Sequence, residues 1–355
     1  MTQDLRKFVI PTVGLLTCLV FAPLAGAIDI VTRKSDNVAL RGQLTRMDTN
    51  SVVIKRTNGE EITVSVADLK SVQFEGEPGS LNQARSNERS GALDSALTKL
   101  IDAQKNFSVK NRNARPDLEF LIARVKAKIA LTDPSRTDEA INALDSFRSA
   151  NKASFRYLEA TLLQASLLGS TNKASEGQAL LAEVQSSTVP GFQLQAGVDL
   201  GRLLLTSGDA TAALKSFEEV ITRSQGKPDA SAALYSGMLG KALCLQKQGQ
   251  TDQAINTLDE VIQKAAETET ATLAEAWIRK GDCFRQKKQN KEALMAYLHV
   301  DVLYSGEPVQ HAEALMRLTE LWGPNGHEDR AMEASARLTE RYPNSPFTKK
   351  GATGG

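Results

Sequence analysis

The hydrophobic pattern of this chain changes period once, near residue 80. Between residues 28 and 75 the apolar positions fall in short, β-branched stretches at 38–47, 51–57 and 61–66, and in the last of these Ile62, Val64 and Val66 alternate with polar residues. A period of two places one side of a strand inward, so each stretch predicts a strand. Asn58-Gly59 separates the second and third stretches, and the two central residues of a tight hairpin need positive φ, which Asn and Gly tolerate best. Asp48-Thr49-Asn50 supplies the preceding turn, and segments 28–33 and 70–74 read as outer strands. A meander of about five short strands closes most easily into a small barrel, which removes exposed edges.

Glu75-Gly76-Glu77-Pro78-Gly79-Ser80 is a polar Pro/Gly break, and from Leu81 onward apolar residues follow a helical period. Within that region one spacing returns four times: a small residue, Ala twelve positions later, and a larger residue four after that. The sets are Gly201–Ala213–Phe217, Ala242–Ala254–Leu258, Gly281–Ala293–Tyr297 and, more weakly, Thr319–Ala331–Ser335, with the Ala positions 41, 39 and 38 residues apart. A period in this range marks stacked helical hairpins, none able to bury its apolar face alone. Ala84–Ala96–Leu100 repeats the spacing, so the array begins near residue 81; through 117–186 only fragments persist, at Ala140–Leu144 and Ala179–Glu183. The prolines from Pro116 to Pro343 fall between predicted helices, as ring sterics require. About six or seven hairpins are expected. The fold class is mainly α: a right-handed α-solenoid preceded by a small all-β barrel. The expected organisation is a leader at 1–27, the β module at 28–75, a linker at 76–80, the helical array at 81–346 and a flexible tail at 347–355.

The leader has the three parts of an export signal: Arg6-Lys7, an apolar run over 8–27, and Ala25-Gly26-Ala27 before Ile28. Cleavage after Ala27 is the expected outcome. Two alternatives stay open: an uncleaved membrane anchor, since the run is long enough to span although Pro11 and Pro23 interrupt it, and lipidation at Cys18, for which Thr17 is a poor preceding residue. Beyond the leader only Cys244 and Cys283 remain. They occupy equivalent places in successive repeats, where stacked helix axes lie about 8–10 Å apart. That exceeds the reach of a disulfide, about 7 Å between Cα atoms, so two buried free thiols are expected.

Composition narrows the function. Without residues 1–27, basic and acidic residues balance at 41 each, which leaves no electrostatic footprint for nucleic acid. A membrane is expected as a partner only through an uncleaved signal or a lipid anchor. His299, His311 and His327 share no metal-ligand spacing, and no phosphate loop, nucleophile elbow or zinc motif occurs. Paired acids such as Glu218-Glu219 and Asp259-Glu260 read as solvated helix surface. No cofactor, no metal and no catalysis are expected.

Trp277-Ile278-Arg279-Lys280-Gly281-Asp282-Cys283-Phe284, followed by Asn290-Lys291-Glu292-Ala293 and Tyr297, is similar to the tetratricopeptide repeat. Trp277, Gly281, Phe284, Ala293 and Tyr297 occupy that family's signature sites, with Lys280 in place of the usual Leu. The segment Arg341-Tyr342-Pro343-Asn344-Ser345-Pro346 resembles the repeat ends of bacterial periplasmic members, including the Tol–Pal-associated one, while Arg41-Gly42-Gln43-Leu44, Asn58-Gly59-Glu60 and Ala67-Asp68-Leu69 resemble SH3-like and Sm-like barrels. The resemblance implies a protein-binding groove lined by the first helix of each hairpin. Its expected lining is Val198, Arg202 and Leu205, then Leu239, Leu243 and Gln246, then Ile278, Asp282 and Arg285. It also implies an exported, non-enzymatic scaffold of the bacterial cell envelope that binds peptide or helix segments of other proteins. Two readings compete with it: a self-assembling structural protein, and an accessory subunit of an envelope enzyme or secretion complex.

Overall fold

The structure is a computed structural model describing residues 28–105 and 107–351. The expected leader and residues 352–355 lie outside the described residues. Five strands form one antiparallel sheet: β1 (Asp29–Arg33), β2 (Ala39–Met47), β3 (Ser51–Lys55), β4 (Glu61–Ser65) and β5 (Leu69–Gln73), in the order β4-β3-β2-β1-β5. Gly59 takes φ +88° in the β3–β4 hairpin but Asn58 does not have positive φ, so the expected two-residue turn is replaced by a longer loop in which the Gly59 N–H donates to the Arg56 carbonyl at 2.9 Å. The expected barrel closure is not made by hydrogen bonding. A single 3-10 turn, Val66–Asp68, carries the chain from β4 to β5, which remain the two edges of the sheet and do not pair with each other.

The helical region comprises seven hairpins among the described residues: α1 (Gly79–Arg89) with α2 (Leu93–Lys105), α3 (Ala114–Ala130) with α4 (Thr137–Ala150), α5 (Tyr157–Gly169) with α6 (Ala174–Gln185), α7 (Pro190–Thr206) with α8 (Ala210–Ser224), α9 (Ser231–Lys247) with α10 (Thr251–Lys264), α11 (Thr270–Gln286) with α12 (Asn290–Leu303), and α13 (Pro308–Trp322) with α14 (Glu328–Arg341). The expected linker is shorter than drawn, since α1 starts at Gly79. The expected flexible tail instead opens with a short helix, α15 (Pro346–Gly351), and Phe347 packs against the core of the last hairpins.

The small-residue spacing has a direct structural cause. A Cβ on Gly201 would fall 2.6 Å from the Phe217 ring, and one on Gly281 would fall 2.5 Å from the Tyr297 ring. Ala213, Ala242, Ala254, Leu258 and Ala293 are all buried, whereas Ala331 in the last hairpin is half-buried and Pro343 is exposed. Trp277 stacks on His299 with ring centroids 4.1 Å apart. Lys280, where the family pattern has Leu, spans from the Trp277 ring to Asp259, its Nζ donating to Oδ1 at 2.5 Å. In the drifted region the register differs from the expected Ala179–Glu183, both of which are exposed. The spacing is carried by Ala165, Gly177 and Leu181, all buried, and a Cβ on Gly177 would lie 2.9 Å from the Ala165 carbonyl oxygen.

The sheet is packed onto the array. Val31, Ile54, Val64, Val66 and Val72 share one core with Ala114, Phe155, Leu158, Val189 and Phe192, residues near the starts of α3, α5 and α7. Arg85 on α1 donates to Glu77 and to the Val72 carbonyl of the edge strand β5 at 3.1 Å, and the Thr188 hydroxyl donates to Asn50 at 2.8 Å. A guanidinium on the backbone of β5 occupies part of an edge that would otherwise be open to pairing. Cys244 and Cys283 are buried free thiols, and burial pushes them up to about 11 and about 12. They are therefore protonated and unreactive at neutral pH.

Candidate protein-binding face

First helices α7, α9, α11 and α13 lie side by side, and each also touches the second helices before and after it. This arrangement overturns part of the expected groove. Val198, Leu239 and Ile278 are only 1%, 6% and 0% exposed, so the aligned apolar row is core. Val198 packs with Phe217 and Val220, Leu239 with Leu258 and Val261, and Ile278 with Tyr297 and Leu315. A first helix in a stack has three packed sides, so one apolar stripe does not identify its free side.

The accessible side carries the other six expected residues. Arg202 is exposed, and Leu205, Leu243, Gln246, Asp282 and Arg285 are half-buried. By the register of Gly201, Ala242 and Gly281, Arg202, Leu243 and Asp282 are equivalent, as are Leu205, Gln246 and Arg285. At the α11–α13 end this side is a ladder of ion pairs. Arg279 forks onto Glu313 at 2.9 and 3.0 Å and also reaches Asp282 at 3.0 Å. Arg317 Nε lies 3.1 Å from Asp282, and Arg285 donates to Glu320 at 2.7 Å. Tyr297 donates its phenolic O–H to Asp282 at 2.8 Å. Burial, and then the Asp282 charge, raise the Tyr297 pKa. The Arg279–Glu313 pair is planar and bidentate, the strongest kind of charge-assisted hydrogen bond, and the charges of Asp282 and Arg285 are met by Arg279, Arg317 and Glu320.

On α7 the charges are fewer. Asp199 accepts from Gln195 at 3.0 Å and Arg202 at 3.2 Å, and burial raises its pKa despite both. On α9 the same side has no ionic ladder: Ser236, Leu243 and Gln246 are half-buried. Leu205 packs only partly against the core beneath it. Leu205 on α7 and Leu243 on α9 are therefore uncharged, half-buried residues on a side that is ionic at its α11–α13 end. The residues missed in the sequence are Asp199, Arg279, Glu313, Arg317 and Glu320. For the last four the signal was present as alternating charge at helical spacing, Glu275-Arg279-Asp282-Arg285 and Glu313-Arg317-Glu320.

A depression of about 140 Å³ lies between α8, α9 and α10 over Ile221, Leu234 and Met238. Its rim lysines are already paired, Lys241 with Glu218 and Lys264 with Glu260. Among the described residues no group of three or more His, Cys, Asp or Glu could hold a metal ion.

Residues 204–278 match the tetratricopeptide repeat family model. A tetratricopeptide repeat protein from Parabacteroides merdae has a similar fold, with a TM-score of 0.54 at 16% identity over 78% of this chain and 96% of that one. A Rap protein solved in complex with the Competence and Sporulation Factor scores 0.52 at 15% identity, over 77% and 75% of the two chains. The apo quorum sensor NprR from B. thuringiensis scores 0.52 at 12% identity, over 74% of each. No curated protein matches the chain. The helical array of this chain is thus an α-solenoid of the tetratricopeptide type, with residues 204–278 matching the family's repeat itself.

Proposed function

We propose that this chain is an exported scaffold of the bacterial cell envelope that binds a segment of another protein on the α7–α9 part of its first-helix face. The observation that carries the reading is that this face holds uncharged, half-buried Leu205 and Leu243 with exposed Arg202 and half-buried Gln246 on α7 and α9, while its other end is closed by its own ion pairs. A segment with one or two apolar anchors and an acidic neighbour fits this chemistry, the anchors against the leucines and the acid on Arg202. The Rap protein of similar fold was solved with the Competence and Sporulation Factor bound, which supports ligand seating on such an array.

Replacing Leu205 and Leu243 together by Ser is expected to weaken partner capture from envelope extract by at least about tenfold, with the helical circular dichroism unchanged. Capture that survives in the folded variant assigns binding elsewhere and rejects the face. The export half of the reading rests on Arg6-Lys7 and on Ala25-Gly26-Ala27. The mature protein is expected to begin at Ile28, and amino-terminal sequencing of host-purified protein that returns Met1 or a lipid-modified Cys18 rejects cleavage after Ala27. No helix among the described residues is long and apolar enough to cross a membrane.

A further inference from the structure

The ion pairs of the first-helix face form two networks with a break between them. At one end Arg124 on α3 reaches Glu88 on α1 at 2.7 Å and Glu159 on α5 at 3.7 Å, and Lys128 on α3 meets Glu88 at 2.8 Å. At the other end stands the α11–α13 ladder. Glu88, Glu159, Asp282, Glu313 and Glu320 thus each meet a basic side chain from another first helix. The pair Asp199–Arg202 lies in the break, on α7, and is made within one helix.

The break has a steric origin on one side. The place two residues before Gly201, Ala242, Gly281 and Thr319 holds Asp199, Gly240, Arg279 and Arg317. A Cβ on Gly240 would fall 2.3 Å from the Phe217 ring, so α9 has no room for a side chain where α11 and α13 carry their arginines. On the other side, counted from Ala165, α5 has half-buried Leu163 at this place and exposed Ser166 at that of Arg202. Neither flanking helix brings a cation to Asp199: α5 contains no basic residue, and Lys241 on α9 is paired with Glu218 on α8.

The Asp199 carboxylate is undercompensated as a result. Both hydrogen bonds that it accepts, from Gln195 and Arg202, fall on Oδ1, and Oδ2 has no partner among the described residues. The Arg202 side chain is 57% exposed and that of Asp199 only 20%, so the cation is largely in water and the anion largely out of it. A pair of this kind offsets little. Burial raises the Asp199 pKa in spite of it, whereas at Glu88 burial is outweighed by Arg124 and then Lys128, and the pKa is lowered.

We propose that the segment bound on the α7–α9 face carries a Lys or Arg that pairs with Asp199, which makes Asp199 the residue that selects basic segments among those with apolar anchors. The inference rests on the binding face proposed above. The ligand cation supplies the charge that the neighbours of α7 lack, and at Oδ2 it displaces no existing hydrogen bond. Asp199 lies about 9 Å along α7 from Leu205. In a segment running along α7 the basic residue is therefore about six residues from its apolar anchor if helical and about three if extended. An acidic neighbour can still reach Arg202.

The test is selection of a random dodecamer peptide library on the full chain. Binders that need Leu205 and Leu243, judged by loss on Leu205→Ser with Leu243→Ser, are expected to be enriched in Lys or Arg. They should bind Asp199→Asn at least about tenfold more weakly, the effect of losing a hydrogen bond to a charged group. Asn keeps the acceptor for Gln195, so the helical circular dichroism should not change. Selection repeated on Asp199→Asn, which frees Arg202, should shift enrichment from basic to acidic residues. Binding of the basic peptides to wild type should also weaken as pH falls toward the raised Asp199 value, because a protonated carboxyl holds no cation, and Asp199→Asn should lose that slope. Leucine-dependent peptides without basic enrichment, or basic peptides that bind Asp199→Asn as tightly as wild type, would overturn the role of Asp199 and leave the face standing. Binders indifferent to the leucine changes, or a library that yields none, would overturn the face and the inference together.

Discussion

Asp117→Ala is expected to destabilise the protein by about 3–5 kcal/mol, the range for removing one partner of a buried ion pair. Asp117 on α3 accepts from Arg156 Nε at 2.7 Å, and the two side chains are 2% and 4% exposed. The guanidinium lies over Phe120 and Phe155, 5.1 and 4.9 Å from their centroids, and its remaining acid, Glu159, is 3.1 Å away and more exposed. Burial opposes the charged form of Arg156; Asp117, then Glu159, more than reverse it, and its pKa is raised. Without Asp117 a cation stays in the interior with its desolvation largely uncompensated. Phe155 belongs to the core that the sheet shares with α3, α5 and α7, so the damage falls on the joint that seats the β module. Urea denaturation measures the change, with the exposed pair Lys264–Glu260 as a control whose removal should cost under about 1 kcal/mol. A loss for Asp117→Ala no larger than the control's would show that the pair is not what holds α3 to α5.

The second large effect is at the close approach of α11 and α12. Gly281→Leu is expected to cost about 1–3 kcal/mol through overpacking, and Gly281→Ala should already be destabilising. A Cβ there would sit 2.5 Å from Tyr297, whose ring is fully buried and whose hydroxyl is held by Asp282, so the ring has nowhere to slide. Gly240 meets Phe217 still more closely, at 2.3 Å, so Gly240→Ala belongs to the same class. Gly306 meets nothing within 4 Å and does not have positive φ; Gly306→Ala should be neutral or slightly stabilising, because Ala narrows the unfolded ensemble without strain. If Gly281→Ala and Gly306→Ala give equal midpoints in chemical denaturation, the close contact is not a constraint on stability.

The same contacts show where reading from the sequence succeeds. Strands expected at 51–57 and 61–66 appear as β3 and β4, within two residues at each end, because alternation and turn chemistry act over neighbouring residues. The repeat spacing placed Gly201, Ala242 and Gly281 correctly at helix contacts. It failed in α6, where Gly177 and not Ala179 fills the small-residue slot, since composition there leaves both choices open. It failed again at Val198, Leu239 and Ile278, because an apolar stripe of period 3.6 is the same whether it faces a ligand or a neighbouring helix.

The sequence by itself determined the two-part organisation, the helical repeat and the free thiols, all of which rest on local periodicity or on the chemistry of single side chains. Only the tertiary structure decided which stripe of each first helix is accessible, that Asp282 and Arg285 are held by Arg317 and Glu320, and that the sheet is fastened to the array through Arg85, Thr188 and Phe192. These last contacts join residues as far apart as Asn50 and Thr188. No local rule specifies such pairs, because they depend on how seven hairpins stack and on which apolar face finds another to exclude water.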